Sequence, residues 1–458
     1  MHFEHFYDPD LAQGSYLIGC QATGEAIVVD ARRDFGVYVG AAERHGLRIT
    51  DVTETHIHAD YLSGSRELAA VTGARLHLSA EGGPDWLYAF PGEPLRDGDV
   101  LRIGNVALTA LHTPGHTPEH LSFLVTDGAQ ADEPGFLLSG DFVFVGDVGR
   151  PDLLDEVAGA EDSRFEGASR LFRSLSGRFL SLPDFVQVWP GHGAGSACGK
   201  ALGAVASTTV GYERRFAWWA GYVRDGDEEG FVRELLADQP DAPAYFGRMK
   251  RLNRDGPPLP GRRAAPVRLD SVGPGQQVVD TRAPEVFNGE GIRGALSIPA
   301  GRRFATWASY VIDPDAGDFL PLVLLARDQA HASELRDALS RIGVDCVAGF
   351  ITTTDGLETG PAPMVAPAEL GSLGEAAVLD VRTAAEHGSG AIPGARQLHA
   401  GRVMFNLDRL PGGGPVVVHC QSGVRATLVA SALRRRGIDA RELAGSYPAW
   451  LAWNEQPA

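Results

Sequence analysis

The residues with the clearest chemical potential are histidines and aspartates that follow short apolar runs in the first half of the chain. Several of them directly follow a glycine, which lets the backbone bring short side chains close to a common point. Side chains delivered by such loops to one face of a scaffold commonly form functional sites. The sequence therefore predicts a metal site. Its possible ligands are His56, His58, Asp60, His116, Asp141 and His192.

Two ligand sets can be drawn from these residues. Three histidines with one open position suit zinc and hydrolysis. Two histidines and one carboxylate suit Fe(II) and oxygen chemistry. Because His56, His58, His116 and Asp141 could supply either set, the residues alone leave the metal open.

The order of these motifs over residues 1 to about 250 resembles the metallo-β-lactamase superfamily, whose first motif is HxHxDH. The last histidine of that motif is Tyr61 in this chain. In dinuclear zinc relatives this histidine joins the positions of Asp60 and His192 in holding a second metal. A phenol competes poorly with imidazole as a ligand, so we expect one metal, with Tyr61 as a ligand being the alternative.

Within that superfamily, the same residues are similar to persulfide dioxygenases. The resemblance rests on THIHADYLSG, HTPGHTPEHLSF, LLSGDFVFVGDVGRPDLL and WPGHGAGSACGK. It implies an αββα fold and one non-haem Fe(II), held by His56, His116 and Asp141, with zinc as the alternative metal. The neighbouring side chains would orient these ligands by hydrogen bonds. The resemblance implies this orienting role for His58, Asp60 and His192.

Two further residues near these motifs have open roles. Arg150 soon follows Asp141 and could bind a substrate carboxylate or phosphate, or form a structural ion pair with Asp152. Cys198 follows His192 in a glycine-rich loop. It could handle a persulfide near the metal or be a small buried residue.

The last part of the chain contains a different type of site. VVVHCQSGVR (416–425) is a strand that leads into a loop and then a helix. Backbone N–H groups converge on such a loop and favour an anion at its centre, which favours the thiolate of Cys420. Arg425 adds positive charge. With DVR and IPGA upstream, residues from about 370 to 458 resemble a rhodanese domain, which implies sulfur transfer through Cys420 and Arg425.

The preceding segment repeats this pattern without its chemistry. VVDTR (278–282) matches VLDVR (378–382), and IRGA (292–295) matches IPGA (392–395). Ala326 stands at the position of Cys420, and His331 replaces Arg425. Since no thiolate can form there, we interpret this copy as a degenerate rhodanese-like domain with a structural or oligomerisation role.

The elements that must position these sites fall into three predicted domains. Alternating short strands and helices predict an α/β protein, with parallel sheets in the two repeated copies. Stretches rich in proline and glycine mark the boundaries. We expect a metallo-β-lactamase-like domain at 1–253, a linker at 254–267, a degenerate rhodanese-like domain at 268–357 and an active rhodanese domain at 366–458.

Composition narrows the partners. The chain has 458 residues and a formal net charge of −18, which argues against nucleic acid or a membrane surface as partner. The chain has no apolar run near the roughly 20 residues of a membrane helix, and it starts without a secretory signal. We therefore expect a cytoplasmic protein. The family tendency implies a homo-oligomer, either a dimer or a tetramer.

These resemblances imply one sulfur-oxidising sequence. The first domain would use O2 to oxidise a low-molecular-weight thiol persulfide to sulfite, and Cys420 would pass a sulfane sulfur to sulfite to give thiosulfate. The reverse rhodanese direction is also possible. The main alternative is a zinc thioester hydrolase of the glyoxalase II type fused to a sulfurtransferase, and a non-catalytic sulfur sensor is a third possibility.

Overall fold

The computed structural model describes residues 1–153, 163–261, 263–373, 378–410 and 414–455. The chain divides into two compact units, one of residues 1–239 and 246–262 and one of residues 240–245 and 263–458. The domain limits given above stay predictions, and residues 456–458 of the expected last domain lie outside the described part.

Two six-stranded sheets form the centre of the first unit, each with its strands in sequential spatial order. The first sheet consists of β1 (His2–Asp8), β2 (Gln13–Cys20), β3 (Glu25–Val29), β4 (Arg48–Thr53), β5 (Arg75–Ser79) and β6 (Glu93–Leu95). The second consists of β7 (Val100–Ile103), β8 (Val106–His112), β9 (Leu121–Asp127), β10 (Phe136–Gly140), β11 (Gln187–Pro190) and β12 (Thr208–Thr209).

Helices accompany both sheets. The described α-helices of this unit are α1 (Gly36–Arg44), α2 (Ser65–Thr72), α3 (Ser163–Gly177), α4 (Val210–Phe216), α5 (Ala220–Asp225), α6 (Glu228–Leu236) and α7 (Phe246–Asp255). Short 3₁₀ turns lie at Pro84–Trp86 and Phe179–Ser181.

Apolar residues on both faces of the strands create the layers. In β2, Tyr16 and Ile18 pack into the core between the two sheets, together with Phe123 of β9. Leu17 points the other way and packs with Tyr38 of α1. Neighbouring strand residues point to opposite faces, so a fully apolar strand must be covered on both sides. The second sheet is covered in the same way by α3, and the expected αββα fold is confirmed.

The second unit contains two parallel sheets. Their strand orders are β15-β13-β16-β17 and β19-β23-β22-β20-β21, and β14 pairs with β18 separately. The strands are β13 (Gln277–Asp280), β14 (Gly291–Ile292), β15 (Leu296–Ser297), β16 (Leu322–Leu325), β17 (Val347–Ile351), β18 (Thr359–Gly360), β19 (Met364–Val365), β20 (Val378–Asp380), β21 (Arg396–Gln397), β22 (Val416–His419) and β23 (Ala440–Leu443).

The described helices of the second unit complete its two α/β halves. They are α8 (Pro284–Glu290), α9 (Phe304–Val311), α10 (Gln329–Arg341), α11 (Leu370–Leu373), α12 (Ala384–Gly388), α13 (Ala400–Val403), α14 (Val424–Arg435) and α15 (Ser446–Asn454). Short 3₁₀ turns lie at Pro367–Glu369 and Leu407–Arg409. Among all described helices of the chain, none is long and apolar enough to cross a membrane.

The two parallel sheets have the same internal order. In the half that we call the first repeat (β13 to β17), β13 lies between β15 and β16; in the last repeat (β19 to β23), β20 lies between β21 and β22. Val279 pairs with Leu324 in the first repeat, as Leu379 pairs with Val418 in the last. This arrangement agrees with the repeat seen in the sequence.

One buried amide holds the loop after β4. Asn253 of α7 donates from Nδ2 to the carbonyl oxygens of His58 and Tyr61, both at 2.7 Å. Its Oδ1 accepts from the backbone N–H of Ser63 at 2.9 Å. A helix that lies 190 residues later in the chain therefore fixes the segment that carries the first histidine motif.

Replacing this amide should destabilise the first unit. Asn253→Ala leaves two carbonyl groups and one N–H buried without their partner, which we expect to lower the free energy of unfolding by about 3 kcal/mol. Urea unfolding, followed by tryptophan fluorescence, measures the change. Asn105→Ala, at an exposed asparagine, is the control and should leave the midpoint unchanged. Equal midpoints for both variants would show that the amide is dispensable.

Candidate metal centre and sulfurtransferase loop

Loops that follow the strands bring the predicted ligands together. His56 follows β4, His116 follows β8 and Asp141 follows β10. One ligand atom of each lies within 4.8 Å of the others, and all three side chains are buried. The Nε2 atoms of His56 and His116 lie 3.9 and 3.5 Å from Asp141 Oδ2.

The Asp141 carboxylate fits a bound cation. The residue is fully buried, and neither carboxylate oxygen accepts a hydrogen bond from the described part of the chain. A buried ionised carboxylate without partners is strongly unfavourable. Imidazole nitrogens surround it, and their lone pairs and the carboxylate oxygen would all be satisfied by one divalent metal.

Hydrogen bonds set the tautomers of both histidines. Thr55 Oγ1 donates to Asp30 Oδ2 and accepts from His56 Nδ1, both at 2.9 Å. His116 Nδ1 donates to the carbonyl oxygen of Arg150 at 2.9 Å. Each Nδ1 therefore carries the proton, which leaves each Nε2 lone pair directed at the cluster.

His58 lies beside this cluster but is held differently. Its Nε2 donates to Asp30 Oδ1 at 3.1 Å. Burial lowers the pKa of His58, but the carboxylates of Asp30 and Glu54 outweigh burial and raise the pKa to about 9. The ion pair with Asp30 orients His58 without joining it to the group of His56, His116 and Asp141.

A second group of buried donors lies next to the first. Asp60, His192 and Cys198 offer ligand atoms within 4.8 Å of one another. His192 Nε2 lies 3.4 Å from Asp60 Oδ2 and 3.5 Å from Asp141 Oδ1, while its Nδ1 donates to the Ala12 carbonyl oxygen at 3.0 Å. Burial raises the pKa of the Cys198 thiol to about 11. Cys198 thus lies beside the group of His56, His116 and Asp141, and both of its predicted roles, in persulfide handling or as a small buried residue, stay predictions.

Tyr61 points its hydroxyl away from both groups. The hydroxyl donates to the backbone oxygen of Asp30 at 3.2 Å and lies 3.4 Å from Gln13 Nε2. Burial raises the pKa of Tyr61 well above its usual value. These contacts agree with the expectation that Tyr61 is not a metal ligand, which stays a prediction.

Arg150 is buried and engaged. Its guanidinium pairs with Asp152 and donates from Nη1 to the Ala197 carbonyl oxygen at 3.1 Å. The structural ion pair with Asp152, one of the two roles considered for Arg150, is present. A role for Arg150 in substrate binding stays a prediction.

Three residues that position the cluster were missed from the sequence. Asp30 orients both His56, through Thr55, and His58. Glu119 Oε1 accepts the N–H of Ile57 at 2.8 Å, between the two histidines. His120 Nε2 accepts the N–H of Asp141 at 3.0 Å. Asp30 directly follows β3. Glu119 and His120 complete the motif HTPGHTPEH and lie just before β9. Their positions beside these strands could have indicated a role in the site.

A cavity of about 700 Å³ opens beside the cluster, and four positive and two negative side chains line it, the negative ones being Asp85 and Glu166. It reaches Ile57 and Gly115, which are chain neighbours of the histidines. Lys250 Nζ lies 3.7 Å from the centre of the Trp86 ring. Burial lowers the pKa of Lys250 to about 8, although Glu119 works against it. The positive residues lining the cavity are Arg170, Lys250, Arg251 and Arg254.

The loop around Cys420 connects β22 with α14. Cys420 is fully buried, and its Sγ accepts the N–H of Gly423 at 3.1 Å. Gly423, with a φ of +93°, precedes the first residue of α14. This left-handed conformation suits glycine and turns an N–H group towards the sulfur.

Arg425 forms a bidentate ion pair that the sequence did not reveal. Its two terminal nitrogens donate to Glu386 of α12 at 2.7 and 2.6 Å. These hydrogen bonds lower the pKa of Glu386 to about 2. Glu386 also accepts from the N–H of Thr383 at 2.9 Å. The guanidinium is therefore fixed at the loop, and its charge is partly balanced.

The first repeat has a cavity of about 800 Å³ at the corresponding strand ends. Ala326 and His331 line it. Asp328 begins α10 by accepting the N–H of His331 at 2.8 Å. Cys346, the cysteine of the first repeat, is exposed and does not line this cavity.

Comparisons with known proteins agree with both halves of this description. The family model of the metallo-beta-lactamase superfamily matches residues 9–192, and that of the rhodanese-like domain matches residues 367–452. A solved metallo-beta-lactamase from Staphylococcus aureus subsp. aureus COL is 38% identical with a TM-score of 0.67, covering 77% of this chain and 99% of that one.

Other similar proteins cover less. The hydroxyacylglutathione hydrolase of Nitrosococcus oceani is 32% identical over 180 residues, which are 39% of this chain and 61% of that protein. This chain thus spans about three fifths of such a curated relative. The structure of ETHE1 from Myxococcus xanthus is 25% identical with a TM-score of 0.45, and it covers 56% of this chain and 98% of that one.

These findings place the chain in the metallo-beta-lactamase superfamily. They also show a rhodanese-like domain at its C-terminal end. The superfamily fold binds metal ions, and the two matches together indicate an enzyme.

Restoring the missing histidine should change the metal content. Tyr61 lies next to Asp60, so Tyr61→His adds an imidazole to the second group, and we expect bound metal to rise from about one to about two per chain. Tyr61→Phe is the control and should stay at about one. Elemental analysis of purified protein gives the ratio. Two metals in the unchanged protein would contradict the single-metal expectation.

Proposed function

We propose that this protein is a non-haem iron persulfide dioxygenase joined to a sulfurtransferase. Its first unit oxidises a low-molecular-weight thiol persulfide to sulfite. Its last repeat transfers a sulfane sulfur from Cys420 to sulfite and gives thiosulfate. A cytoplasmic location and a dimeric or tetrameric assembly stay predictions from the sequence.

The observation that carries this proposal is the donor set of His56, His116 and Asp141. Two imidazoles and one carboxylate are typical of Fe(II) sites with open positions for substrate and oxygen. Bound Fe(II) would supply the one-electron chemistry that lets O2 react with a closed-shell persulfide. His58 is engaged by Asp30, which favours this set over three histidines.

The neighbouring residues prepare this centre for a single metal. Tyr61 directs its hydroxyl to the Asp30 carbonyl oxygen, so it supplies no donor to the second group. His192 contacts both Asp60 and the second oxygen of Asp141. It holds the two carboxylates in place and orients Asp141 towards His56 and His116.

The cavity beside the cluster suits an anionic carrier thiol. Lys250, Arg251 and Arg254 can bind carboxylates or phosphates of the carrier, while Arg170 is paired with Glu166. Trp86 offers an apolar surface to the remainder of the carrier. Because the cavity reaches Ile57 and Gly115, a carrier bound there directs its persulfide sulfur towards the cluster.

The two reactions balance as a sequence. A persulfide, one O2 and one water give sulfite, the free thiol and two protons. For the second step, the Cys420 thiolate first attacks the outer sulfur of a second thiol persulfide, and the carrier leaves as the free thiol. Sulfite then attacks the outer sulfur of the Cys420 persulfide. The new sulfur–sulfur bond forms as the old one breaks, and the electron pair returns to Cys420 Sγ. Arg425 and the N–H of Gly423 stabilise the negative charge on the departing thiolate.

The second candidate is a zinc thioester hydrolase. The identity of 32% with a hydroxyacylglutathione hydrolase favours it. The donor set weighs against it, since a hydrolase of this kind with two metals needs a histidine where Tyr61 stands. Metal identity and oxygen consumption separate the two candidates.

Oxygen uptake on anaerobically purified protein tests the proposal directly. With glutathione persulfide or coenzyme A persulfide we expect uptake that depends on the persulfide, and about one iron per chain. His116→Ala removes one ligand and should abolish both. Cys420→Ser should keep the uptake and release sulfite instead of thiosulfate. A zinc protein that cleaves thioesters and consumes no oxygen would refute the dioxygenase and support the hydrolase.

The cavity residue Lys250 offers a separate test. Lys250→Gln removes a positive charge, so KM for the anionic persulfide should rise about tenfold with little change in kcat. In the unchanged protein KM should also rise above pH 8, where Lys250 loses its proton. Arg102→Gln, at an exposed strand position, is the control. A variant with unchanged KM would place the carrier elsewhere.

A further inference from the structure

Three metal-type donors of the first unit belong to neither of the two buried groups. They are His2 and Glu4 of β1 and His45, the residue at which α1 ends. One ligand atom of each lies within 4.8 Å of the other two. The side chains of His2, Glu4 and His45 are 15%, 29% and 42% exposed, so a cation can reach them from the solvent.

The alternation of β1 places His2 and Glu4 on the face of the sheet that α1 covers. Successive side chains of a strand point to opposite faces. Phe3 packs into the core between the two sheets. Phe6 packs with α1 instead, and its ring lies 4.9 Å from the ring of Tyr38. His2 and Glu4 therefore share the face of Phe6, where a residue at the end of α1 can meet them.

Backbone hydrogen bonds fix the end of α1 and with it the position of His45. Gly46, with a φ of +64°, donates its N–H to the Glu43 carbonyl oxygen at 3.1 Å. Leu47 donates its N–H to the Ala42 carbonyl oxygen at 2.8 Å and buries its side chain in the core that α1 covers. The two bonds form a Schellman motif, which sets the path of the chain after the helix. The Cα atom of His45 is therefore held in place by its neighbours.

Both imidazoles of this group lie close to the same carboxylate oxygen. The Nε2 atoms of His2 and His45 lie 3.3 and 3.8 Å from Glu4 Oε2. Two ligand atoms of a tetrahedral zinc ion, each about 2.0 to 2.1 Å from the metal, lie about 3.3 Å apart. The spacing in the protein is close to this value, so one ion can contact all three side chains after a small movement of His45.

The charges around this group favour a divalent cation. His45 lies at the C-terminal end of α1, where the helix dipole is negative. Arg44 Nη2 lies 3.7 Å from Glu4 Oε1, and this exposed ion pair leaves Oε2 to the histidines. The rings of His2 and His45 lie 4.0 Å apart at an angle of 34°, so protonating both would place two positive charges side by side. A metal ion uses both rings in their neutral form.

We propose that His2, Glu4 and His45 form a surface site for a first-row divalent cation that prefers nitrogen ligands, with Zn²⁺ as its representative. Imidazole and carboxylate are common zinc ligands, whereas Mg²⁺ prefers oxygen ligands alone. Water would complete the coordination of the ion. The bound ion joins β1, which lies at the edge of its sheet, to the end of α1. The site is independent of the proposed function.

Chemical modification of histidines in the full chain, with its resident metal in place, tests the site. Diethyl pyrocarbonate acylates accessible imidazole nitrogens, and peptide mass spectrometry measures the reaction of each histidine separately. Zn²⁺ at about ten times its dissociation constant should slow the modification of His45 about tenfold, because only the unoccupied fraction reacts. Mg²⁺ at the same concentration should not slow it. His331, a partly exposed histidine of the second unit, is the internal control and should react equally with and without Zn²⁺.

Two carboxylate variants separate metal ligation from general attraction of cations. Glu4→Gln removes a ligand and should raise the Zn²⁺ concentration that protects His45 by more than about tenfold. Glu43→Gln removes the same charge from an exposed position of α1 and is the matched control. It should leave that concentration nearly unchanged, because attraction between exposed charges is weak. If Glu4→Gln does not fold, His2→Ala removes another ligand of the site and should weaken the protection of His45 to a similar extent.

The possible results are distinct. Equal modification of His45 with and without excess Zn²⁺ would overturn the surface site. Equal protection by Mg²⁺, or an equal effect of Glu4→Gln and Glu43→Gln, would show a general attraction of cations and would overturn it as well. The modification is measured without persulfide or oxygen, so a failure of the surface site leaves the proposed oxidation and sulfur transfer to their own tests.

Discussion

The structure of the first unit depends on a buried carboxylate surrounded by imidazoles. Asp141 has no hydrogen-bond donor to either oxygen among the described residues, and Nε2 atoms of three histidines lie 3.5 to 3.9 Å from its oxygens. Such an arrangement is unfavourable without a cation. Thr55 and the Arg150 carbonyl oxygen set the tautomers of His56 and His116. Both Nε2 lone pairs are thereby directed at the place where a cation would balance the charge of Asp141. The strands and helices supply the rigid frame that keeps these groups together.

The sequence was sufficient for the fold class and for the grouping of His56, His116 and Asp141. The order of the motifs and the apolar strands predicted both, because each of these three side chains lies in a loop that follows a strand. The sequence did not identify Asp30 and Glu386 as residues that position the two sites. A carboxylate after a strand is common, and its partner is set by packing. Glu386 lies 39 positions before Arg425, and no local pattern joins the two residues.

The two sites favour ligands of opposite charge. The metal-type cluster brings negative charge and neutral imidazoles into a buried space, so a cation is the favoured guest. The Cys420 loop presents the N–H of Gly423 to the sulfur and carries Arg425, so an anion is favoured there. Glu386 balances Arg425 without occupying the loop. The proposed function uses both preferences, since the metal site would produce the oxyanion that the Cys420 site would consume.

The hydrogen bonds between the two repeats affect how variants of this protein should be interpreted. Ala326 and His331 perform no sulfur chemistry, and substitutions there should be tolerated. Ser297 and Asn288 lie far from Cys420 in sequence, yet both donate hydrogen bonds to α14, the helix that begins at its loop. The N–H of Ser297 donates to Ser431 Oγ at 3.0 Å, and Asn288 Nδ2 donates to Thr427 Oγ1 at 3.2 Å. Inherited or engineered changes at these positions would then resemble active-site lesions. A repeat that contains no nucleophile at the position of Cys420 can therefore affect the activity of its neighbour through its contact surface alone.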